Sequence, residues 1–343
     1  MPAASSRAAR CVFGTQNFLS GQAVSLFSIG ALLMAKRLAL RGMVASSLLN
    51  LTFYLALAVV YVVLGWCLRP RQDTSKPTIR WWMYAFVALL DAQANVAATK
   101  ALSFTSFSTT GLMLNLAIPF VFALCVSVMK TPFTRKHVAG CILTLLGGGV
   151  LLAGSWSHAK ADSNSTDLYG WTLALLGAAL YAASNVANQW CLRAYSFESV
   201  IQSLGMIGMW GSGICLLQVL LIERHDVVAI QWNGDVLLLF VGYVLAMLAF
   251  YTAVFVLVHA SETAIYNVSL LLSSLYLVLV SRYLLDESIG SCEWSATMLM
   301  VVGLAIYAWN RSAESANLPQ ISFKSLQTPR DEMVMAKMDQ AIV

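Results

Sequence analysis

Charge is what this sequence lacks. Only 11% of its 343 residues are Asp, Glu, Lys or Arg, against about 25% in an ordinary soluble domain, too few to clothe a water-facing surface. That shortage excludes a soluble enzyme, a secreted disulfide scaffold and a disordered regulator. The seven cysteines (Cys11, Cys67, Cys125, Cys141, Cys191, Cys215 and Cys292) are scattered, with no CxxC or Cys/His spacing. Neither a disulfide framework nor a zinc site is indicated, and each reads as a small apolar packing residue. HExxH and P-loop patterns are missing, and His137, His158, His225 and His259 sit at span ends or in loops. Gly211-Ser212-Gly213 lacks the glycine two before the serine that a nucleophile elbow requires. Catalysis finds little support, and no metal or cofactor is implied. Without an ATP site, any transport must be secondary.

What is present is apolar length. Hydrophobic residues make up 59% of the chain, and the mean hydropathy is +0.73. Runs of about 20 residues, enough to cross a bilayer as helix, recur at 17–35, 43–68, 81–101, 106–129 and 137–154. Five more follow at 168–192, 200–222, 236–258, 263–284 and 294–309. The sequence therefore predicts an all-α membrane protein of ten transmembrane helices. A short segment, 1–16, precedes the first five; a loop at 155–167 joins them to the second five, within 168–310; and a disordered polar tail occupies 311–343.

An even span count puts both ends on one side. That side collects fourteen basic residues against seven on the other, so both termini are expected in the cytoplasm. Lys36, Arg37 and Arg41 in the first loop run against the trend. Asn164-Ser165-Thr166 then falls outside as a candidate glycosylation site. The first span, followed directly by Lys36-Arg37, reads as a retained signal-anchor. Plasma membrane and endomembrane both remain open. The net charge of +5 is not gathered into a patch for nucleic acid; the expected partners are a small-molecule solute and membrane lipids, with a homo-oligomer allowed.

The halves resemble each other. Spans four and nine each carry a polar start, then Asn115 or Asn267, then an apolar run. Leu145 to Ala153 in span five resembles Met300 to Ala308 in span ten. Resembling spans lie five apart, and five is odd, so the second half enters the membrane upside down. Two inverted five-helix repeats with cargo held near the midplane is a transporter architecture.

Deep polar residues mark the candidate site. Asp91 lies about 15 Å inside span three on the helical rise, where an ionisable group costs at least about 2.5 kcal/mol and normally faces a cavity or the bundle. It is a cargo contact, a proton carrier or a structural hydrogen-bond partner, and any proton coupling must lean on it. Asn95 shares its face one turn on, while Gln93 is rotated toward a neighbour. Lys100 either draws anionic cargo toward the mouth or snorkels to headgroups. Tyr181, Asn185 and Asn188 form one polar stripe on span six, flanked by Ser184 and Gln189, that either lines a cavity or ties helices together. Asn115 and Asn267 suit a pseudo-twofold site. Pro119 should kink span four and free a backbone carbonyl. Tyr266 and Tyr276 offer rings for a planar ligand or for packing. Gly147 to Gly149 and Gly205, Gly208 and Gly211 read as close helix packing.

Several strings carry a family likeness. Asp91-Ala92-Gln93-Ala94-Asn95 with Lys100-Ala101, Ile118-Pro119, the run Leu175 to Val186, Asn267 and Leu275-Tyr276 resemble solute carrier family 35, subfamily F, within the drug/metabolite transporter superfamily. The likeness runs from about Gly21 to Tyr307. It implies ten helices in two inverted halves and a nucleoside-like, nucleotide-sugar-like or small aromatic cargo moved by alternating access. The chain departs from that pattern where it has Gln93 for Glu, Asn188-Gln189 for a Glu pair and Ser274 for Asp. Phosphates favour Arg or Lys clamps, and buried Lys and Arg are scarce, which weighs against a highly charged nucleotide sugar. The alternative reading is a non-transporting membrane scaffold or receptor.

Overall fold

The apolar runs become helix, and no strand occurs among the described residues. The computed structural model describes residues 3–68, 81–127, 134–162, 165–192, 197–260 and 263–317, with side chains at 21–67, 81–127, 134–154, 167–188, 201–254 and 273–307. In chain order the helices are α1 (Ala3–Leu40), α2 (Ser46–Leu68), α3 (Trp81–Ala101), α4 (Phe107–Leu114), α5 (Ala117–Ser127) and α6 (Arg135–Asp162). They continue with α7 (Ser165–Leu192), α8 (Phe197–Leu221), α9 (Arg224–Val228), α10 (Gly234–Ala260), α11 (Thr263–Leu284) and α12 (Ser291–Asn317).

Seven stretches among the described residues are long and apolar enough to cross a membrane: Gly21–Leu40, Ser46–Cys67, Phe107–Ser127, Arg135–Gly154, Asp167–Asn188, Ile201–Leu221 and Gly234–Val254. Ser291–Tyr307 is a shorter apolar helix. α3 falls outside this set, its hydropathy lowered by Asp91, Gln93, Asn95 and Lys100. The chain is an integral membrane protein.

Helix ends differ from the hydropathy expectation. α1 begins at Ala3 instead of 17, α6 and α7 extend through most of the expected 155–167 loop, and α12 runs to Asn317, into the expected tail. Residues 3–13, 155–162 and 312–317 contain no Gly or Pro, so nothing stops a helix that has left its apolar core. Other ends follow local chemistry. Gly42 adopts φ 82° and closes α1, with Gly42 N donating to Ala39 O and Met43 N to Leu38 O, a glycine-dependent helix stop. Ser106 caps α4 by accepting from Thr109 N at 3.1 Å. Span four breaks between α4 and α5, as Pro119 suggests. Proline has no N–H to give the Asn115 carbonyl, and that carbonyl accepts from Ile118 N at 3.2 Å instead.

The main packing partners are α2 with α8, α6 with α12, α3 with α7, and α1 with α10 and α11. α3 also meets α8, α10 meets α2, and α7 meets α4 and α5. Small residues set the closest approaches. A Cβ on Gly140 would lie 2.6 Å from Gly303 O, one on Gly147 2.9 Å from Ala296 O, and one on Gly154 2.5 Å from Cys292 Cβ. These three glycines recur every seven residues along one side of α6, which seats the antiparallel α12. A Cβ on Gly208 would meet Ala58 N at 2.5 Å, and one on Gly211 the Tyr54 ring at 2.7 Å. Close packing is thus what these glycines provide.

At one end of the bundle, polar groups tie helix termini together. Lys36, buried in α1, donates to Leu102 O at 3.0 Å and Thr105 O at 2.7 Å and lies 3.9 Å from Glu287. Glu287 accepts from Phe107 N at 2.9 Å and from the Ser281 hydroxyl. Glu293 accepts from Ser108 and Thr109 hydroxyls at 3.0 and 3.1 Å. Two carboxylates therefore face the N-terminus of α4, where the helix dipole favours them. Arg41 pairs with Asp235 at 2.9 Å at the same end.

Candidate functional site

α3 supplies the centre of the site. Tyr84, Val87, Ala88, Ala92 and Asn95 form its buried stripe, the side that meets other helices. Asp91 belongs to that stripe and is half-buried.

Three tyrosines close around it. Tyr54 of α2 donates to Asp91 Oδ2 at 2.8 Å, and Tyr251 of α10 donates to the same oxygen at 2.7 Å. Asn95 Nδ2 donates to both phenol oxygens, at 2.8 and 2.9 Å, while its Oδ1 accepts from Tyr181 of α7 at 2.7 Å. Each phenol has one proton to give. With Tyr54 and Tyr251 spending theirs on an ionised Asp91, the Asn95 amide must face them with its nitrogen. Oδ1 of Asp91 is much freer, with the Ser184 hydroxyl at 3.5 Å. Phe53 backs the cluster, its ring centroid 4.7 Å from Tyr54 and 4.8 Å from Tyr251.

One turn beyond, a second buried set links α2, α3 and α10. Tyr243 donates to Asn50 Oδ1 at 2.9 Å, and Asn50 Nδ2 donates to Thr99 at 3.0 Å. Thr99 in turn donates to Asn95 O at 2.8 Å, which stiffens the turn of α3 that carries Asn95. All three side chains of this set are buried.

The sequence candidates separate here. Asp91, Asn95 and Tyr181 come together. Asn115 instead donates to the fully buried Ser274 at 3.0 Å, joining the α4–α5 break to α11. Tyr276 donates to Gln22 of α1 at 2.9 Å. Gln93 does face a neighbour, accepting from Gln218 of α8 at 2.9 Å. Of the span-six stripe only Tyr181 joins the cluster; Asn185 is exposed and Asn188 half-buried, and it is the flanking Ser184 that approaches Asp91. Lys100 is half-buried at the last turn of α3. The side chains of Tyr266 and Asn267, the Asn164 sequon and Gln189 lie outside the described residues. Tyr54 and Tyr251 were not legible as site residues, since each is a lone phenol in an apolar run.

Near Lys100, Glu223 follows α8 and is buried. It accepts from Ser47 N at 2.8 Å, capping α2. Burial pushes its carboxyl above the usual carboxylate range, against the opposing pull of the Ser47 bonds and the Lys100 charge.

Comparison with known proteins identifies the family of the chain. The SLC35F model of solute carrier family 35 matches residues 14–309. Solute carrier family 35 member F2 of Mus musculus is 27% identical over 290 residues, covering 84% of this chain and 76% of the relative. Its Xenopus tropicalis counterpart is 26% identical over 337 residues, covering 95% and 84%. The uncharacterized solute carrier family 35 member C320.08 of Schizosaccharomyces pombe is 23% identical over 227 residues, covering 66% and 44%. A solved crystal structure superposes with a TM-score of 0.54 at 18% identity, covering 89% of this chain and 99% of the other, a likeness of fold alone. Because the family match takes in every helix that builds the Asp91 cluster, the chain belongs to the SLC35F branch of solute carrier family 35.

Proposed function

We propose that the chain is a secondary transporter of a small organic solute, working by alternating access around the Asp91 cluster. The observation that carries this reading is the cluster itself. A half-buried carboxylate at mid-helix is met by polar side chains from α2, α7 and α10, and ionisable groups within membrane spans normally serve a cargo or ion path. Membership of a solute carrier family supports a transporter over an enzyme. The cargo classes are nucleoside-like, nucleotide-sugar-like or small aromatic.

The architecture in this proposal is ten spans in two inverted halves, 17–154 and 168–310. α3, α11 and α12 complete the set of seven, and α4 with α5 counts as one broken span. Pairing α1 with α7, α2 with α8, α3 with α10, α4–α5 with α11, and α6 with α12 accounts for the packing. The α1–α10 contact then mirrors α7–α3, α3–α8 mirrors α10–α2, and α1–α11 mirrors α7 on α4 and α5. α2–α8 and α6–α12 are contacts of a helix with its own mate. In this scheme Asp91 and Tyr251 sit on mated helices, so the cluster would lie between the halves, where inverted repeats hold cargo. Both termini are cytoplasmic in this proposal, with the Lys36–Glu287 end of the bundle outside.

Reconstitution of the purified chain into liposomes tests the function. Time-dependent accumulation of nucleosides, nucleotide sugars or small aromatic solutes above protein-free liposomes is the expected result. Flux indistinguishable from protein-free liposomes for every class would leave the scaffold or receptor reading in its place.

A further inference from the structure

Among the described residues, the Asp91 carboxylate has hydrogen bonds but no counter-ion. Among the described residues, the ion pairs are Lys36 with Glu287 and Arg41 with Asp235, both at the end of the bundle. Lys36 already holds two carbonyls, and Lys100 lies about 13 Å further along α3 on the helical rise. Two phenols and a weak serine contact favour the ionised carboxylate, and a partner of opposite sign would compensate the charge directly.

One carboxylate oxygen has acceptor capacity left for that partner. Oδ2 takes both phenol protons, whereas Oδ1 has only Ser184 at 3.5 Å. Oδ1 is therefore the oxygen less engaged by the protein. Around it the walls are aromatic. Tyr54 and Tyr251 touch the carboxylate through their hydroxyls, Tyr181 reaches it through Asn95, and Phe53 and Phe250 pack on the phenols, Phe250 with its centroid 5.7 Å from Tyr251. A carboxylate oxygen with acceptor capacity to spare attracts a cation by direct, charge-assisted pairing. An anion would meet only repulsion there.

We propose that the cargo carries a cationic nitrogen, a protonated amine or an amidinium-like group, which pairs with Asp91 Oδ1 beside the tyrosine cluster. This rests on the transporter reading and narrows it. Nucleotide sugars drop out, and bases or aromatic solutes bearing a basic nitrogen stay in. Tyr54 and Tyr251 act as positioning residues, holding the carboxylate by one oxygen so that the other is presented.

The test uses the full chain in liposomes of mixed neutral and anionic phospholipid, exposed to a small-molecule extract of cells. The solutes gained over protein-free liposomes are identified by mass spectrometry. The expected gain consists of solutes with a nitrogen protonated at neutral pH, and Asp91→Asn lowers it by about tenfold or more at equal protein content. Asp91→Glu, which keeps the charge, retains part of it. A gain made of neutral or anionic solutes, or a cationic gain untouched by Asp91→Asn, overturns the proposal while transport stands. No gain of any solute sinks the transport reading and this proposal together. Should Asp91→Asn fail to fold, the charge of the solutes gained by the wild-type chain decides by itself.

Discussion

The Tyr251 phenol lies 2.7 Å from Asp91 Oδ2 and reaches it from a helix 160 positions away in the chain. Tyr54 donates to the same oxygen from α2, so two distant helices fix one carboxylate. Hydrogen bonds to a charged acceptor are worth about 1.5–3 kcal/mol each. Tyr54→Phe and Tyr251→Phe should each lower the initial rate of solute uptake by about tenfold. The double variant should lose less than the product of the two, because both donors serve one atom. Uptake by proteoliposomes of matched protein content checks this. Unchanged rates in both single variants would make the phenols structural neighbours of Asp91 and nothing more.

The position of Tyr54 depends in turn on two glycines. A Cβ at Gly211 would lie 2.7 Å from the Tyr54 ring, and one at Gly208 would strike the backbone at Ala58. Backbone cannot swing aside as a flexible side chain can. Gly208→Ala should therefore lower stability by about 1–3 kcal/mol, seen as a reduced Tm in detergent. Gly211→Ala should shift the Tyr54 ring and cut uptake more than it cuts Tm. Gly213→Ala, with nothing within 4 Å, is the neutral control. Equal behaviour of all three variants would deny that α2 and α8 pack this closely.

Sequence pattern reached the membrane class and singled out Asp91, Asn95 and Tyr181, which the fold brings together, and it is instructive where it stopped. Asp91 and Asn95 stand out because charge and amides are rare in apolar helices and because i, i+4 spacing puts them on one face. Pro119 announced the broken span because a missing N–H has a local effect. Tyr54 and Tyr251 gave no such signal: a phenol in an apolar run has no period to betray which neighbour it meets, and only the tertiary packing of α2 and α10 on α3 decides it. The span-six stripe divides in the fold, with Tyr181 in the cluster and Asn185 exposed. Ser184 and Asn185 are neighbours about 100° apart on the helix, and it is the smaller hydroxyl at 184 that turns toward α3.

Glu287 joins three parts of the chain through the α4 N-terminus, Ser281 and Lys36. Glu287→Ala removes the anion from the helix N-terminus and leaves Lys36 with carbonyls alone. A loss of about 2 kcal/mol is expected, and Glu287→Gln should recover part of it by still accepting from Phe107 N. Thermal unfolding of the purified variants measures both. Should Glu287→Ala unfold at the wild-type temperature, the contact between the α11–α12 loop and α4 contributes nothing to holding this end closed.

Glu223 offers a pH test that avoids the site. Burial raises its carboxyl above the ordinary 4.5 in the folded protein, so between that value and the raised one the folded state holds a proton that the unfolded state has released. Stability then falls as pH rises through this window, because fewer protons are bound by the unfolded chain. The contribution is fully present below about 4.5 and is lost above the raised value. Glu223→Gln stays neutral and can still accept from Ser47 N through its amide oxygen, so the cap on α2 survives while the titration goes. The difference in Tm between variant and wild type should therefore grow in favour of Gln as pH climbs from 4.5, then level off. Other carboxyls titrate in both proteins and cancel in the difference. Parallel Tm curves across the window would mean that Glu223 remains solvated and that the end of α8 is looser than its contact with Ser47 implies.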